Sequence, residues 1–308
     1  MKKLPKQFFF LMFFFFVMSG LLLGQVSANE NVTVTLGADL SEEEQSQILA
    51  EMGVSRSEVD ILYVENAEEH HYLGEHIPSE QIGSRAISSA LVEHLPEGEG
   101  INVETNNINW VSDAMYANAL TTAGVTDAKV YVTAPIEVSG TAGLLGLLKA
   151  YEELEGIEIP EENKEVANEE LVRTAELADK FGVEEANELM TRIKEALADR
   201  DVETEEELRQ LIEDIAAEIG IELTAEEMDG LVSLFQRMGQ LDIDWDHVRS
   251  QLSQVRDQIG EFLSSEEGQN LIQRFLDVLQ EFVDTVIGWF SNENESSTIP
   301  YGVIIDKR

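Results

Sequence analysis

Apolar and polar residues alternate along Val32-Thr-Val-Thr-Leu36, which predicts a strand. Gly37-Ala-Asp-Leu then leads into Ser41-Glu-Glu-Glu44. This is a capping box, in which the serine and the glutamate three residues on satisfy each other's backbone donors, so a helix is expected from there to Gly53. Residues 59–64 predict a second strand, and residues 67–73 a short helix capped by Asn66. Two β-prone runs follow at 85–92 and 101–105, the second set off by Pro96, Gly98 and Gly100. A helix over 113–123 should stop at Gly124, and a last strand over 128–133 should end before Pro135. Strands interleaved with helices predict a small mixed sheet covered by helices.

The pattern changes near residue 150. Thr204-Glu-Glu-Glu207 and Thr224-Ala-Glu-Glu227 are capping boxes, each followed by apolar residues at helical spacing: Leu208, Leu211, Ile212 and Ile215, then Met228, Leu231, Leu234, Phe235 and Met238. Glycines 182, 220 and 239 fall where such helices should stop. About six helices are expected between 163 and 290, joined by connections short enough to make neighbours antiparallel. The last, over 271–290, places Ile272, Phe275, Leu276, Leu279, Val283, Val286, Ile287 and Phe290 on one face, with Arg274, Asp277, Glu281 and Asp284 opposite. A membrane-surface helix would carry basic residues on that polar face, so packing into the bundle is the expectation. The fold class is therefore α+β: an N-terminal α/β sandwich over residues 29–155, a C-terminal helical bundle over 156–291, and a polar linker with a short tail over 292–308.

Residues 1–28 stand apart. Lys2, Lys3 and Lys6 precede an apolar run from Phe8 to Val17 and Leu21 to Leu23, and Val26-Ser27-Ala28 offers small residues to a signal peptidase. The expectation is a cleavable secretory signal, hence an extracellular or cell-envelope location without stable membrane insertion. A retained anchor is the competing reading, because the apolar run is nearly long enough to span a bilayer. About 280 residues remain after cleavage, enough for a sizeable core, and with no cysteine anywhere the fold must rest on that core rather than on disulfides.

Charge narrows the partners. With 61 acidic residues against 20 basic ones, the net charge is -41. Nucleic acid is excluded, because its binding is driven by counterion release onto a basic surface. Anionic lipid is disfavoured on the same ground. An envelope protein or cell-wall component remains as partner, and the acidity also serves solubility in alkaline or saline surroundings.

Little in the chain points to chemistry. Glu68 to His76 holds three of the five histidines, and His71, Glu75 and His76 are the candidate metal ligands. Zinc-binding helices place two histidines four residues apart, whereas His70 and His71 are adjacent and His76 lies five residues beyond His71, so a capped, solvent-facing helix is the expected reading and no metal or other cofactor is assigned. Asp242-Ile-Asp244-Trp-Asp246 imitates the start of a calcium loop, yet His247 stands at the glycine position and Ser253 at the final glutamate position. Asp244 is expected to cap a helix instead. Gly140, Gly143 and Gly146 suggest close packing of a helix on the sheet, since no Gly-Lys-Ser/Thr ending follows them. There is no G-x-S-x-G nucleophile motif, and the catalytic residues are unknown.

"VTLGADLS", "YLG", "QIGSRAISS", "AKVYVTAPIEVSGTAGLLGLLKAYE" and "LVSLFQRMGQLDIDW" resemble, in order, the YpuA-like family of secreted proteins of unknown function from low-GC Gram-positive bacteria. The resemblance implies an extracytoplasmic protein and supplies no reaction and no catalytic residues. The histidines around His71 and His76 are not part of that family pattern. Within "QIGSRAISS", Ile82, Ala86 and Ile87 read as packing positions, while Ser84, Arg85, Ser88 and Ser89 are candidates to hold an anion. Two function classes follow: a non-enzymatic envelope protein that binds a protein or wall component, and a hydrolase acting on wall polymer through two carboxylates about 5 to 10 Å apart across a cleft, one of them desolvated.

Overall fold

The computed structural model describes residues 31–250 except Arg200, Asp201, Glu203, Asp242, Asp246, His247 and Arg249. The secretory segment, the helix expected over 271–290 and the tail over 292–308 lie outside the described residues. All of the described residues belong to one compact unit.

The fold is α+β. Five strands, β1 (Val32–Gly37), β2 (Asp60–Val64), β3 (Ser89–His94), β4 (Ile101–Ile108) and β5 (Ala128–Val138), form a mixed sheet in the order β2-β1-β3-β5-β4. β1 with β2 and β4 with β5 pair in parallel, while β3 runs antiparallel to both of its neighbours. The carboxyl ends of β1, β2, β4 and β5 thus share one edge of the sheet with the start of β3.

Every residue of β1 is buried, so both faces of the sheet are covered there. Val34 and Leu36 face helix α1 (Glu42–Glu51), whose Ile48 and Leu49 join them and Leu91 in one cluster. α1 starts as its capping box predicts: the Ser41 amide donates to Glu44 Oε2 at 2.8 Å and the Glu44 amide to Ser41 Oγ at 3.3 Å. Thr35 points to the opposite face, which carries α4 (Asp113–Ala123) and α5 (Thr141–Glu155). α5 lies almost on the strands. A Cβ at Gly143 would stand 2.5 Å from Tyr116 Oη and 2.7 Å from Val132 Cγ1, and one at Gly146 would stand 2.6 Å from Thr35 Oγ1. These two glycines fit α5 to the sheet, the packing role expected of them.

The helical half follows: α6 (Glu161–Phe181), α7 (Val183–Asp199), α8 (Glu205–Glu218) and α9 (Ala225–Met238). Both predicted capping boxes form, with the Glu207 and Glu227 amides donating to Thr204 and Thr224 Oγ1 at 3.2 Å. The apolar stripes read from the sequence, Leu208 to Ile215 and Leu231 to Met238, join Leu189, Met190 and Ile193 in a second core. α6 is the central strut, packed against α4, α5, α7, α9 and the short helix α2 (Asn66–Leu73), which is followed by the single turn α3 (Ser79–Ile82). Among the described residues, no helix is long and apolar enough to cross a membrane.

Three local expectations are corrected. β5 does not stop before Pro135; it continues to Val138. β3 leaves its side at Thr133, and β4 bulges between Asn106 and Ile108, with Asn107 at φ 57° donating its side-chain amide to Ala134 O at 2.8 Å. The missing proline N–H falls where the ladder is already interrupted. β3 begins at Ser89 rather than at Arg85, because residues 83–88 are tied to the end of β1: Asp39 N donates to Ala86 O at 3.0 Å and Ala86 N to Asp39 Oδ2 at 2.8 Å. Finally, α2 is capped by Glu65 rather than Asn66, and the Glu65 amide donates to Glu68 Oε2 at 2.8 Å.

The glycine contacts generate a test. Gly143→Val should destabilise the protein by about 1–3 kcal/mol or more through overpacking between Tyr116 and Val132. The same substitution at exposed Glu153, near the end of α5, should cost under about 1 kcal/mol from helix propensity. Urea unfolding monitored by circular dichroism measures both.

Candidate functional site

The histidine cluster divides. α2 ends at Leu73 with Gly74 as its C-cap, so Glu75 and His76 lie beyond the helix that carries His71. His70 Nε2 lies 3.0 Å from Gly83 O. His71 is 64% exposed, with Nε2 3.7 Å from Glu161 Oε1 and its ring edge-on to Tyr72. His76 is half-buried near Glu169, Arg173 and Arg237; burial lowers its pKa, and the two guanidiniums lower it further against the opposing pull of Glu169. The three rings therefore face three separate sets of partners. Among the described residues, no three His, Asp or Glu side chains converge on a space that would hold a metal ion.

The helix is also drier than its composition suggests, because Glu69 and Leu73, one turn apart, are both buried. Glu69 is 2% exposed and receives Asn66 Nδ2 at 2.9 Å. Burial pushes its carboxyl up to about 7, against the Asn66 hydrogen bond and nearby His70 and with added repulsion from Asp39 and Glu68. Sequence reading passed over Glu69 in favour of the histidines. The signal was its i,i+4 spacing from Leu73, which puts it on the apolar side of the helix.

The anion candidates do not converge either. Ser84 and Arg85 are exposed, with Arg85 Nη2 donating to Asp39 O at 3.1 Å, whereas Ser89 is buried in the sheet. The Ala86 amide, which an anion would need, is taken by the Asp39 carboxylate. Ala86 and Ile87 are buried, as expected of packing positions. Of the calcium-like run, Asp242 and Asp246 lie outside the described residues. Asp244 immediately precedes a helical turn and its carbonyl accepts from Val248 N at 2.9 Å, the backbone arrangement of an N-cap residue.

One cleft among the described residues was not anticipated. α6 and α9 leave between them a solvent-open groove of about 430 Å3, lined by Leu177 and Leu231 together with Arg173, Glu176, Thr224, Glu226 and Glu227. Two basic side chains are anchored at its walls. Arg173 lines the groove and is anchored by buried Glu169, to which its Nε donates at 2.7 Å, while Gly230 leaves room for the guanidinium, since a Cβ there would collide with Nη1. Glu227 is held by Lys180 Nζ, 2.9 Å from each carboxylate oxygen. Burial alone would raise Glu227, but the Thr224 amide and the Lys180 ammonium outweigh it and hold the carboxyl below its usual range. Glu176 moves the other way: although it keeps contact with solvent, partial burial raises it, Arg173 opposes, and Asp179 and Glu226 add to the rise. Glu176, Glu226 and Glu227 come from two helices about 50 residues apart in sequence, a proximity that periodicity cannot reveal.

The family described as "Protein of unknown function (DUF1002)" matches residues 36–255. A relative from Bacillus subtilis (strain 168), "Uncharacterized protein YpuA", is 47% identical over 261 residues, covering 84% of this chain and 90% of the relative. These matches bear out the resemblance carried by the segments from Val34 to Trp245. No solved structure matches the chain.

Glu69 makes stability depend on pH. A carboxyl raised from 4.5 to about 7 holds its proton in the folded state longer than in the unfolded one. Its favourable contribution is complete below pH 4.5 and is lost as pH rises to about 7. Glu69→Gln should remove that decline and stabilise the protein by up to roughly 3 kcal/mol above pH 7, at about 1.4 kcal/mol per pKa unit. Urea midpoints of the two proteins at pH 5 and pH 8 check it; parallel pH dependence would show that Glu69 ionises freely.

Proposed function

The chain belongs to the DUF1002 family of proteins of unknown function, and we propose that it acts outside the cytoplasmic membrane as a non-enzymatic binding protein that holds a basic segment of an envelope partner in the groove between α6 and α9. The observation that carries this reading is the make-up of the groove. Leu177 and Leu231 supply apolar contact, and Glu176 and Glu226 supply negative charge beside it. An amphipathic basic helix would lay its apolar stripe on the leucines while its lysine and arginine stems reach the carboxylates. The net charge of -41 adds long-range attraction, which accelerates encounter and weakens with salt. The extracytoplasmic location rests on the signal-like pattern of residues 1–28.

A carboxylate-dependent hydrolase acting on cell-wall polymer is the second reading. Glu176 and Glu227 border one groove and are shifted in opposite directions, the division expected of a general acid and its partner carboxylate. It ranks second because Glu227 is committed to capping α9 and to Lys180, and Glu176 is exposed to water. Release of soluble fragments from purified cell wall by the native protein, abolished in Glu176→Gln, would place it first.

The binding reading is tested by titrating residues 29–308 with a fluorescent lysine-leucine amphipathic peptide. Replacing Glu176 and Glu226 together by lysine should weaken binding by about tenfold or more, since each 1.4 kcal/mol is a factor of ten. The equivalent double replacement at exposed Glu206 and Glu213 of α8 should leave the affinity within about twofold at a salt concentration that screens remote charge. Equal losses in the two variants would mean that the peptide reads net charge and that the groove is not the site.

A further inference from the structure

Helices α4, α6 and α7 enclose an amine and a carboxyl group in contact. Lys194 Nζ on α7 lies 2.6 Å from Glu170 Oε1 on α6, and each side chain is 1% exposed. Nζ also donates to the carbonyl oxygen of Asn118 on α4 at 2.7 Å. Thr122, one turn further along α4, donates its hydroxyl proton to Glu170 Oε2. Burial lowers the Lys194 pKa, while neighbouring Glu170 opposes that shift.

The hydrogen-bond inventory is uneven. An ammonium has three donors, and Lys194 meets two acceptors among the described residues, Glu170 Oε1 and Asn118 O. Oε1 has no partner there besides Lys194. A buried ion pair needs good geometry and full satisfaction to offset its desolvation, and this one leaves a donor over. A secondary amide joining Nζ to Cδ of Glu170 would have one N–H and one carbonyl oxygen. The site offers one acceptor, Asn118 O, and one donor, Thr122 Oγ1, each already in place. The surroundings match the amide better than they match the two ions.

We propose that Lys194 and Glu170 condense to an intramolecular amide that staples α7 to α6. The reacting forms are a neutral amine and a carboxylic acid, reached by proton transfer within the pair. The Nζ lone pair attacks Cδ, and the C–N bond forms. Nζ then gives one proton to Oε1, which already carries the acid proton, and the Cδ–Oε1 bond breaks to release one water molecule. Oε2, held by Thr122, remains as the amide oxygen. Contact between the reacting groups makes the step unimolecular, and exclusion of water opposes the reverse hydrolysis. No oxidant, metal or activating cofactor is needed. The linkage would give a chain without cysteine a covalent tie that no disulfide can supply.

The mass of the purified protein, expressed without residues 1–28 and denatured before electrospray, decides the matter without any variant. The expected mass is that of the sequence less one water. Digestion with trypsin should yield a branched peptide joining the Lys194 and Glu170 segments, with no cleavage after Lys194. Lys194→Arg, which keeps a cation but cannot condense in this way, should have its full sequence mass. A native protein at full sequence mass, with a linear peptide ending at Lys194, would overturn the proposal, as would a water loss mapped to any other pair of residues.

Discussion

The close seat of α5 on the sheet is the contact on which the rest of the structure depends. Gly143 and Gly146 let the helix backbone settle among Tyr116, Val132 and Thr35, where any side chain would push it outward. α4 packs beside it, and α6 then rests on α4 and α5 together. A shift of α5 would therefore move the layer that carries α6, and with it both the buried Glu170 and one wall of the groove. Two hydrogen atoms in place of two side chains set the spacing of three layers.

Scarcity of positive charge is the second constraint. Three carboxylates of this acidic chain are buried along or beside α6, and they are treated differently. Glu169 has two guanidiniums, Arg173 Nε at 2.7 Å and Arg237 Nη1 at 2.6 Å. Glu170 has Lys194. Among the described residues Glu69 has no Lys or Arg ion partner, and a buried carboxyl in that position lowers its cost by holding its proton longer, which is why it rises to about 7. Where counter-charges are few, burial is met by pairing at some sites and by a raised pKa at another.

The same scarcity shapes the groove. Arg173 borders it, yet its guanidinium is directed to Glu169, and Lys180 is spent on Glu227. Glu176 and Glu226 face solvent over an apolar floor. Such a surface is poorly suited to anions and well suited to a basic amphipathic ligand. Its two walls belong to helices that meet only because the second core, built around Leu189, Met190, Phe235 and Met238, folds α9 back on α6.

Local rules were enough for much of the fold. Capping boxes at Ser41, Thr204 and Thr224, the alternation of β1, the αL glycine after Ala123 and the apolar stripes of α8 and α9 are set by neighbours within a turn or two, and each was legible. Composition likewise settled net charge and the absence of disulfides. Tertiary contacts decided the rest. Pro135 remains in a strand because β3 has already departed; residues 85–88 leave the ladder because Asp39 captures Ala86; His71 and His76 separate because α2 ends at Gly74. The pairing of Glu170 with Lys194 and the meeting of Glu176 with Glu226 join residues whose separation along the chain carries no signal. Periodicity records which side of an element is buried, and only packing determines what it is buried against.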